Sequence, residues 1–74
     1  MTWHPWTSRT LRLVDRGGIV AVITRYQTAS GTVYLWALTR AGDDEGAESD
    51  ENAARAKAEA AYRHRCGLLG SVRA

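Results

Sequence analysis

Two runs rich in β-branched and aromatic residues, 19–26 (IVAVITRY) and 32–39 (TVYLWALT), stand on either side of Thr28, Ala29, Ser30 and Gly31. Such side chains suit a pleated, half-buried surface, and Gly31 tolerates positive φ, so the pair predicts an antiparallel hairpin. A third strand is expected over residues 10–15, where Leu11 and Leu13 alternate with Arg12 and Val14 before a turn at Arg16, Gly17 and Gly18.

The composition then changes. Residues 41–48 are Gly, Ala and acids, which resist packing and predict an exposed acidic loop. Beyond it Ser49 is an N-cap candidate, and Asp50 and Glu51 place negative charge at the positive end of a helix dipole. Arg63, His64 and Arg65 complement the other end, and Gly67 follows as a stop signal. The Ala-rich run over residues 52–62 has high helix propensity. Glu51, Arg55, Glu59 and Arg63 recur every four residues and predict one exposed row of ion pairs, at a few tenths of a kcal/mol each. Ala54, Ala58, Ala61, Tyr62 and Leu69 share a stripe that can lie on a sheet.

The expected architecture is a single α+β domain over residues 1–74. It has an N-terminal aromatic segment (1–8), a three-stranded antiparallel sheet (9–40), the acidic loop (41–48), a C-terminal helix packed on one face of the sheet (49–66) and a tail (67–74). One helix covers one face, and the second face is also apolar. If Ile19, Ala21, Ile23, Val33, Leu35 and Ala37 face the helix, then Val20, Val22, Tyr26, Tyr34, Trp36 and Leu38 face outward; the inverse assignment is equally open. An uncovered apolar face marks an interface. A second copy, a foreign partner and the N-terminal segment are its candidate occupants.

Size bears on the same point. A chain of 74 residues buries only about 60% of its unfolded surface, and the single Cys66 excludes an internal disulfide, so self-association is an expected source of stability. No basic flank and apolar run marks a signal peptide, and no apolar stretch approaches the roughly 20 residues that span a bilayer. The chain reads as cytoplasmic, without a membrane partner.

Charge is segregated. Six of the eight carboxylates lie between residues 43 and 51, while the rest of the chain sets ten basic side chains against Asp15 and Glu59. The formal net charge of +2 therefore combines a basic body with an acidic segment, and the body suits a polyanion or an acidic protein surface.

Catalytic and metal chemistry find little support. His4, His64 and Cys66 lack a second Cys or a His pair at ligand spacing, and no paired-carboxylate or Ser, His and Asp arrangement emerges. The acids lack EF-hand spacing. No enzyme, cofactor or metal is expected. Trp3 and Trp6 must dock, either on the uncovered sheet face or as anchors for a partner. Arg12 on the first strand, Arg25 and Tyr26 on the second, and Tyr34, Trp36 and Arg40 on the third, with Arg9, compose a sheet surface that stacks bases and grips phosphates, or a dimer interface. The candidate partner-binding residues are Trp3, Trp6, Arg12, Arg25, Tyr26, Tyr34, Trp36 and Arg40.

An Arg- and Ala-rich short chain with Trp at its start, a hairpin over residues 19–39 and one Ala-rich helix over 52–65 resembles small proteins of phages and mobile elements, among them type I anti-CRISPR proteins. The resemblance lies in size, composition and element order. It implies a non-enzymatic inhibitor that binds the Cas proteins of a host surveillance complex and blocks access to target DNA. A small basic nucleic-acid-binding module and a structural dimer or toxin-antitoxin component are the alternatives.

Overall fold

The computed structural model describes residues 1–39 and 44–73, with the helix beyond residue 65 described as backbone alone. Arg40 and Asp43, and the side chains of Cys66 and Leu69, lie outside the described residues. The elements run β1 (Thr2–Pro5), β2 (Thr10–Asp15), β3 (Gly18–Thr28), β4 (Gly31–Leu38), β5 (Glu45–Glu48) and α1 (Glu51–Arg73). The strands form one antiparallel meander in the order β1-β2-β3-β4-β5. α1 packs across β3, β4 and β5.

The α+β class and the C-terminal helix agree with the sequence reading, but the sheet has five strands rather than three. β1 arises from the N-terminal aromatic segment because Trp3 pairs with Leu13 and brings its ring onto the core. Pro5 lacks an N–H and is accommodated because β1 is an edge. β5 arises from the acidic loop: Glu45 pairs with Ala37 and Ala47 with Leu35, so the backbone bonds offered by β4 outweigh the poor strand propensity of Glu, Gly and Ala. Charge on an edge strand also blocks further pairing.

Turn geometry decides which side chains face the helix. Arg16 and Gly17, with φ of 54° and 79°, form the two-residue turn between β2 and β3, and positive φ at both central residues matches strand twist. Between β3 and β4 the loop is Ala29 and Ser30 alone, so Thr28 pairs with Gly31 and every odd position of β3 opposes an even position of β4. Ala21 faces the helix with Leu38, and Ile23 with Trp36. The face sets expected above are therefore partly inverted: Ala21 and Ile23 face the helix and Val22 and Tyr26 face away from it as first written, whereas Val20, Tyr34, Trp36 and Leu38 turn to the helix side and Val33, Leu35 and Ala37 away from it.

The register shift between Leu13 and Val14 leaves Val20 as an extra residue on β3, and this bulge lets adjacent Val20 and Ala21 both reach the core. Leu13, Val20, Ala21, Leu38 and Ala58 form that core, with Trp3, Trp36, Ala61 and Tyr62 packed around it. Ala54 and Ala58 are fully buried, as the helix stripe predicts, because small side chains bring the helix close to the sheet.

The helix ends differ from expectation. Asp50 rather than Ser49 is the cap, since the Ala53 N–H donates to Asp50 Oδ2 at 2.9 Å. The helix continues through Gly67 to Arg73, because a mid-helix Gly costs only about 1 kcal/mol relative to Ala. The ion pairs Arg55–Glu51 at 2.7 Å and Arg63–Glu59 at 3.4 Å follow the predicted spacing.

Asp15 and Tyr62 tie the helix to the second strand. The Tyr62 hydroxyl donates to Asp15 Oδ2 at 2.6 Å and holds that carboxyl below its usual value of 3.8, with the N-terminal ammonium 3.6 Å away as a lesser cause. A carboxyl with a depressed folded-state pKa adds stability that is present above its unfolded value and is lost as pH falls through the folded one. Tyr62→Phe is expected to lower the urea midpoint at pH 7, with the difference from wild type shrinking as pH falls below the usual carboxyl value of 3.8 towards the lower folded-state one. Parallel denaturation curves at pH 7 and pH 3 check this.

Candidate functional site

The pleat separates the candidate residues into two surfaces. On the helix side, at the end of the sheet beside the first turn of α1, Arg9, Arg25 and Tyr34 line a small polar cleft with Thr7, Ser8 and Glu51. Cross-strand pairing holds Arg25 opposite Tyr34, and the Arg25 N–H donates to the Arg9 carbonyl at 2.8 Å, which fixes the two arginines on neighbouring backbones. Both side chains are exposed. Arg25 Nη2 lies 3.5 Å from the Ser8 carbonyl, and neither guanidinium has a carboxylate partner among the described residues. Glu51, the one acid lining the cleft, is already bound to Arg55. Two uncompensated guanidinium forks beside hydroxyl groups suit a carboxylate or a phosphate oxygen.

The opposite face of the sheet has no cover from the described residues. Cross-strand pairing places His4, Arg12, Val22, Ala37 and Glu45 in one row across all five strands. The adjacent row runs through Thr10, Thr24, Leu35 and Ala47. Trp6 joins this face through its neighbour Arg12, whose guanidinium lies 6.0 Å from the indole centre. Trp6, Tyr26 and Leu35 are 52%, 49% and 42% exposed, a concentration of large apolar groups in water that a small domain seldom leaves unpartnered.

The two N-terminal tryptophans therefore part. Trp3 turns inward, its indole N–H donating to Glu59 Oε2 at 2.7 Å with the Arg55 guanidinium 6.0 Å from the ring, whereas Trp6 turns to the open face. Trp36 is half-buried against the core rather than presented to a partner. With Tyr34 and Trp36 on the helix side and Tyr26 on the other, no continuous aromatic platform for stacking bases is assembled. Arg9 was legible as a basic neighbour; the β2–β3 pairing brings it to Arg25, and the two-residue β3–β4 turn sets Tyr34 opposite Arg25.

The acidic segment is partly used within the fold. Asp44 accepts from Arg65 Nε at 2.7 Å, and Asp50 caps the helix. Among the described residues, positive charge without an ion-pair partner remains on the β2 and β3 side at Arg9, Arg12 and Arg25, and negative charge without one on β5 at Glu45 and Glu48, so the sheet is polar from edge to edge. Among the described residues no cluster of His, Cys, Asp and Glu is placed to hold a metal ion, and no helix is long and apolar enough to cross a membrane. Comparison with protein-family models, with characterised proteins and with solved structures finds no match to this chain.

Proposed function

We propose that this is a non-enzymatic binding protein of the bacterial cytoplasm that grips acidic groups of a macromolecular partner in the Arg9, Arg25 and Tyr34 cleft, and that its open sheet face is a protein interface. The observation that carries the reading is the pair of guanidinium groups, one just before β2 and one on β3, that have no counter-ion among the described residues. A carboxylate-bearing protein surface fits better than a nucleic acid, since the stacking aromatics are divided between faces and the cationic groups form no continuous track. The resemblance to type I anti-CRISPR proteins makes a Cas subunit of a surveillance complex the first target to test, with obstruction of target DNA as the consequence.

Tagged protein incubated with lysate of a host carrying an active type I system, after nuclease treatment, is expected to retain Cas subunits. Arg9→Glu with Arg25→Glu is expected to reduce that retention by about a hundredfold, because each reversed charge meets a like charge on the partner, while thermal stability changes by no more than about 0.5 kcal/mol. Absence of Cas subunits from the wild-type capture rejects the target. Recovery of nucleic acid alone, lost on nuclease treatment, replaces this reading with the nucleic-acid-binding one.

A further inference from the structure

The open sheet face is complementary to itself. Along its central row the side chains run His4, Arg12, Val22, Ala37 and Glu45 from β1 to β5, basic at one end, apolar in the middle and acidic at the other. Two such sheets stack face to face about a two-fold axis along β3. That rotation reverses strand order, so β1 of one copy lies over β5 of the other, and every contact occurs twice, as an isologous interface requires. His4 and Arg12 then approach Glu45 of the second copy, Val22 meets its own equivalent, and Trp6 lies over the small, exposed Ala47.

We propose that a second copy of this chain occupies the open face in this two-fold arrangement, giving a ten-stranded sandwich with the helices outside. The inference rests on the reading of that face as a protein interface and names its occupant. Three observations support it. Trp6, Tyr26 and Leu35 are exposed together on one side of the sheet. The Arg12 guanidinium lies over Trp6, and among the described residues it has no carboxylate partner and its buried Nε no hydrogen-bond acceptor. Glu45, at the other end of the same row, is exposed and likewise has no ion-pair partner among the described residues. The missing counter-charge for each is the other, which one chain cannot bring together across two intervening strands. Sheets that stack in this way keep their strands within about 30° of each other and interdigitate side chains about 10 Å apart, which suits a face of Val, Thr, Leu and Ala. The Arg9 and Arg25 cleft is on the other side of the sheet, so pairing leaves two clefts accessible.

Sedimentation equilibrium on the full chain and its variants tests this. Wild type is expected to be a dimer at micromolar concentration, and Leu35→Asp a monomer with unchanged far-UV circular dichroism. Glu45→Arg, at an exposed edge position, is expected to weaken the dimer by about tenfold or more by setting like charges together, and Arg12→Glu with Glu45→Arg to restore most of that loss. A wild type that stays monomeric to millimolar concentration overturns the proposal; if the nuclease-treated capture still succeeds, the cleft reading survives it. A dimer indifferent to Leu35→Asp, or one broken by Glu45→Arg without rescue by the double exchange, also overturns it.

Discussion

Gly46→Ala is expected to destabilise the protein by about 2 kcal/mol, although one methyl group is added at an edge strand with strong pairing to its neighbour. A Cβ at residue 46 would lie 2.7 Å from Trp36 Nε1, 2.8 Å from Cε2 and 2.9 Å from Cζ2. These are atoms of a rigid bicyclic ring that is itself packed against the core, not the end of a flexible chain, so the ring cannot withdraw without disturbing what it rests on. In a domain of this size each kcal/mol moves the melting temperature by about 4–8 °C, so thermal denaturation should show a fall of roughly 10 °C. Combining Gly46→Ala with Trp36→Ala is expected to cost less than the sum of the two single changes, because the second removes the atoms that the first strikes. Full additivity would mean that the indole does not rest on Gly46.

The second large effect is at Trp3. Trp3→Ala removes an aromatic body packed on the core, the 2.7 Å hydrogen bond to Glu59 and the contact with Arg55, and is expected to cost about 3 kcal/mol and to release β1 from β2. Trp3→Phe keeps most of the apolar contact and loses the N–H donor, with an expected cost of about 1 kcal/mol. Trp6→Ala, on the open face, should leave monomer stability within about 0.5 kcal/mol of wild type. Chemical denaturation of the three variants distinguishes the two tryptophans. Equal losses at Trp3 and Trp6 would contradict their separation by the sheet.

The contrast between these residues shows what could be read from the chain before its structure. The hairpin and helix were legible because β-branched alternation and an Ala-rich run with charged ends are local signals. β1 and β5 were not, because TWHP and EGAE are held in strands by the partners they pair with, Leu13 and Leu35 among them, rather than by their own propensities. The face assignment turned on a single residue of loop length, since a two-residue turn opposes Thr28 to Gly31 and rotates all of β4 by one position. That rotation took Trp36 from a candidate contact to a packing group and brought Tyr34 beside Arg25. The charge segregation was plain in the sequence, but the use of Asp44 and Asp50 to fasten α1 depends on distances that only folding sets.

The proposed function rests on Arg9 and Arg25 forming an anion-binding cleft for carboxylates. Titration of arginine-labelled protein with a short poly-glutamate peptide at low salt, followed through the arginine Nε–H resonances, tests it most directly. Saturable shifts of the Arg9 and Arg25 signals, with Arg16 unmoved and the effect abolished by Tyr34→Phe combined with Arg25→Gln, are the predicted result. Uniform, non-saturating shifts across all the arginines, or none at Arg9 and Arg25, would contradict it.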